Sequence, residues 1–323
     1  MVRAASLILA VAVVGLDGVA IDTAARQLPR LHSLLVSQHG QLTFERYYNG
    51  RRVDRPANIK SASKSVISAL IGIAIERKQI PDVRTPIVTY FPELAMDPDP
   101  RKRAITIEDL LTMRSGLTST SFDNYGAWVS SRNWVDYVLR RPMIADRGED
   151  MEYSTGNTHL LSAILTKTTR QSTWAFAQQQ LGTPLGFTVS RWARDPQGIY
   201  FGGNDMLLSP GQMLSIGQLY LDRGRAGSRQ IVPVPWIDAS CTGLGRSRFN
   251  PDQTYGYGWW SRDFAGRQGC FAWGYGGQYI IVFRDSHLVV VTTSSTEIGD
   301  ERRDHRRQLF DIIERLVLPA LPR

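Results

Sequence analysis

Two short runs at 33–37 and 41–47 carry apolar residues at intervals and flank Gln38-His39-Gly40, a turn signal. That pattern predicts a β-hairpin. The next apolar stretch, Val66 to Ile75, is nearly unbroken. It is too short to span a membrane and long enough for a buried helix. From Pro81 to about Gly198 the pattern changes to Pro-rich turns followed by helical runs at 107–113, 134–139 and 157–168. Thr106 and Asn157 are the expected caps of the first and last of these. Between 207 and 224 another helix is expected to begin after Ser209-Pro210. Strands return at 255–260, 270–273, 279–284 and 288–293, the last two forming a hairpin around Asp285-Ser286. A helix from about Arg302 to Leu318 closes the chain. Strands at both ends with helices between them predict an α+β fold: one sheet domain interrupted by a mostly helical subdomain at about 82–200. There is no internal repeat and no low-complexity tract.

Composition refines this picture. The chain has 323 residues, 42% hydrophobic and 21% charged, which suits a globular protein with a sizeable core. Its formal charge is +8, but Lys and Arg are scattered. The densest cluster, Arg302-Arg303-Asp304-His305-Arg306-Arg307, reads as a solvated helix face, and no nucleic-acid module accompanies it. Arg3 followed by apolar residues from Ala4 to Leu16 reads as a secretory signal, with small residues for cleavage after Ala20 or after Ala25. Residues 1–20 are therefore expected to be a signal peptide, and 21–323 a single periplasmic or secreted domain without stable membrane insertion. A buried first helix or an uncleaved anchor is the alternative. The default for the two cysteines, Cys241 and Cys270, is a pair of lone buried thiols, although export would permit a disulfide. The five histidines show no metal-ligand spacing, so neither metal nor cofactor is expected.

The candidate chemistry starts at Ser61-Ala62-Ser63-Lys64-Ser65, just ahead of the apolar run. A serine three residues before a lysine at a helix start puts both side chains on one face, beside unpaired N–H groups and the positive dipole end. This supplies a nucleophile, a base and an anion-stabilising site within one turn. An active serine also needs a partner that tunes the lysine, and Tyr153, opening Tyr153-Ser154-Thr155-Gly156-Asn157, is the best candidate. Trp273-Gly274-Tyr275-Gly276-Gly277-Gln278 enters a strand, where glycines allow close approach of substrate to backbone and an N–H can meet an oxyanion. An ordinary lysine has a pKa near 10.4, so bringing Lys64 near 7 takes roughly 4–5 kcal/mol. Either the amine is neutral, or Tyr153 is an anion beside a charged Lys64. No Gly-x-Ser-x-Gly elbow occurs, which disfavours an α/β-hydrolase.

Together these segments resemble the class C β-lactamase-related family of serine hydrolases, which includes esterases, D-amino-acid peptidases and 6-aminohexanoate-dimer hydrolases. The similarity covers nearly the whole chain after about residue 30 and includes Ile105 to Leu117, Asp195-Pro196-Gln197-Gly198, Gly202-Gly203, Leu208-Ser209-Pro210 and Gln230-Ile231-Val232-Pro233. The resemblance implies an antiparallel sheet flanked by helices. It implies Ser61 as acylated nucleophile, Lys64 as its base partner and Tyr153 as second base or proton relay. It also implies the N–H groups of Ser61 and Gln278 as the oxyanion hole, with Tyr275, Gly276 and Gly277 beside the substrate. Two positions depart from the family: Thr155 stands where Tyr-x-Asn has Asn, and Tyr275-Gly276 where a Lys or His and then Thr or Ser are usual. Without that cation, small esters or amides are the expected substrates, handled by a serine hydrolase that forms an acyl-enzyme. The alternatives are a non-catalytic or single-turnover penicillin-binding or sensor-like protein, and a true β-lactamase or D-peptidase. Oligomeric state is not legible in the sequence.

Overall fold

The computed structural model describes residues 15–247, 250–299 and 301–321. The expected signal core therefore lies almost wholly outside the described residues. The first helix, α1 (Gly18–Arg26), is capped by the Asp17 carboxylate and buries Ile21 and Ala25. Both expected cleavage points fall within or at the end of this helix.

The hairpin forms as expected. β1 (Leu31–Gln38) and β2 (Gln41–Tyr47) turn at His39 and Gly40, both with positive φ. β3 (Ala57–Asn58) leads into a 3₁₀ turn, Lys60–Ala62, and then α2 (Ser63–Glu76). The helical block contributes α3 (Ile107–Leu111), α4 (Tyr125–Val129), α5 (Trp134–Leu139), α6 (Thr155–Thr169) and α7 (Thr173–Ala177). β4 (Leu207–Leu208) pairs with β3 and precedes α8 (Pro210–Leu221), which begins at its Ser209 cap and Pro210 as expected. A small hairpin, β5 (Arg225–Ala226) with β6 (Arg229–Gln230), and α9 (Val234–Cys241) follow.

The remaining strands are β7 (Gly245–Arg246), β8 (Thr254–Tyr255), β9 (Trp260–Phe264), β10 (Arg267–Gly274), β11 (Gln278–Phe283) and β12 (Leu288–Ser294), before α10 (Arg302–Ile312). The strand expected over 255–260 is thus two strands, because Gly258, at φ 78°, closes a tight turn between them. After Ile312 the last helix loosens into a wider turn and a 3₁₀ turn.

The main sheet is antiparallel throughout, in the order β2-β1-β12-β11-β10-β9-β8-β7. Every residue of β11 and β12 is buried. That follows from helices on both faces, which turn alternation into a continuous apolar run. α1 and α10 cover one face, with Phe271, Ile281 and Phe310 in the core there. α2 and α8 cover the other, with Ile67, Leu70, Ile280 and Val291. α6 packs on α2 and carries the helical block with it. Cys241 and Cys270 form a disulfide, joining the end of α9 to β10. This overturns the expectation of two lone thiols: the chain brings α9 back beside β10, a proximity that their separation of 29 residues does not reveal.

Candidate active site

The turn before α2 is held from outside. The Asn58 Oδ1 accepts from the Lys60 N–H at 3.0 Å, and the Asn58 amide donates to Asp205 Oδ1 at 2.8 Å. Lys60 sits at φ 50° and its ammonium meets the same carboxylate at 3.0 Å. Ser61 follows, half-buried, in the 3₁₀ turn. Of the nearby serines, Ser63 donates to Lys60 O at 2.6 Å, Ser65 to Gly258 O at 2.7 Å and Ser68 to Tyr257 O at 2.6 Å. Their hydroxyls are occupied by carbonyls. Ser61 Oγ instead lies 3.0 Å from Lys64 Nζ and hydrogen-bonds the Tyr153 hydroxyl.

Lys64 is buried, and burial alone pushes its amine down to about 7. Its three neighbours are Ser61 Oγ, Thr155 Oγ1 at 3.2 Å and Gly203 O at 2.6 Å. None is a carboxylate. A neutral amine fits this set: two N–H donors for Thr155 and Gly203, and one lone pair for the Ser61 hydroxyl proton. Tyr153 is pushed the other way, to about 12, by burial, against the pull of its hydrogen bond to Ser61. Its ring lies 5.0 Å from Lys64 Nζ. Of the two protonation patterns open from the sequence, these opposite directions favour the neutral amine beside a neutral phenol.

Thr155, which stands where the Tyr-x-Asn pattern has Asn, meets Lys64 through its hydroxyl. Its hydroxyl is fixed by Ser121 Oγ at 2.8 Å, and the Thr155 N–H donates to the same Ser121 oxygen. The Ser119 hydroxyl holds the Tyr153 carbonyl at 2.7 Å. Asn157 is not the cap of α6. That helix starts at Thr155 after Ser154, and Asn157 is buried within it, near Ser115 Oγ at 3.3 Å. Removing the Thr155 hydroxyl in Thr155→Val should lower ester turnover about five- to thirtyfold, the worth of one buried hydrogen bond. Steady-state kinetics on Thr155→Val and Thr155→Ser, the latter near wild type, checks this.

The Gly203 carbonyl has its own support. Asp195 Oδ2 meets His159 Nε2 at 3.0 Å, both side chains fully buried. The Gly202 N–H donates to His159 Nδ1 at 3.4 Å, so the ring proton sits on Nε2 and points at Asp195. A Cβ at Gly203 would lie 3.0 Å from Thr155 Cγ2 and 3.2 Å from Lys64 Nζ, besides striking the Thr158 hydroxyl. Only glycine leaves room for the lysine there. Gly202-Gly203 and Asp195 figure in the sequence only as family-like spacing. Their roles are not visible there, because the contact to Lys64 is made by backbone.

The third segment closes the β10–β11 hairpin. A Cβ at Gly274 would strike the Ile59 carbonyl, so the end of β10 runs directly against the backbone leading to Ser61. Gly276 and Gly277, at φ 90° and 114°, make the turn. The structure separates the residues expected here. Gln278 is fully buried in β11, its amide holding the Ser294 backbone at 2.7 and 3.2 Å. Tyr275 is half-buried, and its hydroxyl accepts from Arg302 Nη1 at 2.6 Å, with the guanidinium 4.7 Å from its ring. Neither the Ser61 N–H nor the Tyr275 N–H bonds to another described residue. An aromatic wall runs from Tyr153 to Trp260 at 5.9 Å and on to Trp273 at 5.8 Å, with Phe122 6.1 Å from Tyr153 on the other side.

The family model described as Beta-lactamase matches residues 21–313. The chain belongs to the β-lactamase family. This β-lactamase-family hydrolase is 23% identical to the 6-aminohexanoate-dimer hydrolase of Paenarthrobacter ureafaciens, over 90% of this chain and 81% of that one. Its fold is shared with a class C β-lactamase from Rhodobacter sphaeroides (TM-score 0.68, 17% identity, covering 91% of this chain and 98% of that one). It is also shared with EstCE1, a hydrolase with promiscuous acyltransferase activity (TM-score 0.75, 15% identity, covering 91% and 97%).

Proposed function

We propose that this β-lactamase-family protein is a serine hydrolase that cleaves small esters or amides through an acyl-enzyme on Ser61. The observation that carries this reading is Lys64: a buried amine with only neutral partners, 3.0 Å from the one nearby serine hydroxyl not occupied by a carbonyl. Lys64 takes the Ser61 proton as Oγ attacks the substrate carbonyl. The Ser61 N–H and a backbone N–H of the Tyr275–Gln278 segment, that of Gln278 as the family resemblance implies or that of Tyr275, receive the oxyanion. Tyr153 passes a proton to the leaving oxygen or nitrogen and regains one from Lys64. Water then attacks the acyl-enzyme with the same groups acting in reverse. The relative's name, a hydrolase of an amide dimer, supports an amide or ester substrate, and the aromatic wall suits its apolar part.

The test is hydrolysis of p-nitrophenyl butyrate with adduct mapping by a fluorophosphonate. Ser61→Ala should lose on the order of a thousandfold or more, while Ser63→Ala and Ser65→Ala keep most activity. An adduct on another serine, or unchanged turnover in Ser61→Ala, sinks the assignment.

Tyr275 also bears on substrate choice. A charge-assisted hydrogen bond to a β-lactam carboxylate is worth about 1.5–3 kcal/mol, so a neutral phenol forgoes roughly ten- to a hundredfold. A chromogenic cephalosporin is expected to react much more slowly than p-nitrophenyl butyrate. A preference for the cephalosporin in kcat/KM would contradict this. We further propose that the protein works outside the cytoplasm; the Cys241–Cys270 disulfide and the apolar leader support an oxidising compartment.

A further inference from the structure

At the end of the sheet shared by β1, β2 and β12 lies a cavity of about 320 Å³. Arg51, Arg52, Arg55, His32, Ser33 and Asn58 line it, and residues 293–297 complete it. Its charge is one-sided. Arg51 and Arg55 form no ion pair with a described residue, and Arg52 reaches only Asp54, at 3.8 Å, with both side chains exposed. Glu297 is the one carboxylate among the described lining residues. Two carbonyls and two hydroxyls of the wall are already occupied. Arg30, itself buried, donates to the carbonyls of Ser295, at 3.3 Å, and Glu297. Ser33 is bonded to Thr293 at 2.6 Å. The half-buried His32 ring makes no hydrogen bond to a described residue. Burial first, then Arg51, Arg30 and Arg55, push that imidazole down to about 4, so it stays neutral and can donate one N–H.

Arg51 is half-buried, and Arg52 and Arg55 are exposed at the rim; like charges gathered around a concave site repel one another and raise the affinity for a counter-charge. We infer that this cavity binds the oxyanion group, carboxylate or phosphate, of a small molecule, held by Arg51 and Arg55 with an N–H of His32. Guanidinium forks match both anions bidentately. The volume lies at the lower end of small-molecule pockets, about 300–1,000 Å³, and exceeds what a bare ion fills. Asn58 forms part of the wall and also fixes the Lys60 N–H, so the ligand lies beside the nucleophile turn.

The full chain is titrated calorimetrically with inorganic phosphate and, separately, with succinate, at neutral pH and constant ionic strength. At least one probe should bind saturably at one site, and the tighter one identifies the group. The double variant Arg51→Ala/Arg55→Ala should weaken it about tenfold or more, the loss of one charge-assisted contact. The control Arg84→Ala/Arg229→Ala removes the same charge from exposed positions elsewhere and should stay within about twofold of wild type. Melting curves establish that both variants fold; should the pocket variant not fold, Arg55→Ala alone replaces it. Ser61→Ala should bind the probe as wild type does, so this site stands or falls apart from the catalytic reading. No saturable binding of either probe, equal weakening in both double variants, or undiminished binding in the pocket variant overturns the inference.

Discussion

Replacing Lys64 with methionine is expected to abolish turnover and to make the protein more stable at neutral pH. The activity loss follows from removing the amine that lies 3.0 Å from Ser61 Oγ and should be on the order of a thousandfold. The stability gain follows from burial. An unfolded lysine titrates at 10.5, whereas the folded amine titrates at about 7. Between those values the unfolded chain holds a proton that the folded chain does not, so stability rises with pH across that window and is flat below it. At neutral pH the penalty is about 5 kcal/mol. Methionine removes it but leaves the Gly203 carbonyl and Thr155 hydroxyl without their donor, at about 1 kcal/mol each. The net gain should be roughly 1–3 kcal/mol. Urea melts from neutral to alkaline pH check it: wild type should close the gap to the variant as pH rises. In the same protein kcat/KM should climb through about pH 7 and then level, because the neutral amine is the working form. A methionine variant that keeps its activity, or that melts earlier than wild type at neutral pH, would refute this account of the lysine.

The second large effect is expected from the disulfide. It closes a loop of 29 residues between the end of α9 and β10. By chain entropy alone a loop of that size is worth about 3–4 kcal/mol. For a domain of this size that corresponds to a fall in Tm on the order of 5–10 °C. Cys241→Ala/Cys270→Ala and dithiothreitol-treated wild type should melt at about the same lowered temperature. Activity at room temperature should largely survive, because Gly274 is still held against Ile59 by the sheet. Thiol titration of the unfolded, unreduced protein should find no free cysteine. Two titratable thiols, or a Tm indifferent to reductant, would exclude the cross-link.

Much of this molecule was legible before its structure. The β1–β2 turn, the apolar α2 and the β11–β12 hairpin announce themselves because local alternation, run length and turn residues decide them. Ser61, Lys64 and Tyr153 converge as their segments suggest. What was hidden is of another kind. The Gly203 carbonyl has no side chain to mark it, and His159 and Asp195 are 36 residues apart in sequence. The hairpin register places Gln278 inside β11, opposite Gly274, and leaves Tyr275 in the turn, a separation that local patterning does not report. Asn157 has the chemistry of a cap, but the helix starts two residues earlier, and tertiary packing beside Ser115 outweighs that local preference. The cysteine pairing and the strand order depend on contacts between distant segments, which periodicity does not report.

The strand order also governs when the protein can come into being. β1 lies between β2 and β12, and Ser33 reaches Thr293 across 260 residues of sequence. Until the ribosome has released nearly the whole chain, the first hairpin has nothing to lie against on its inner edge. Pairing at such separation is slow, and the loop it closes is among the largest the chain can offer. The nascent protein therefore spends its synthesis without a finished sheet, exposed to chaperones and proteases alike. Under the export proposed above, the chain would be threaded unfolded across a membrane, and that delay would be an asset, since early folding would block passage.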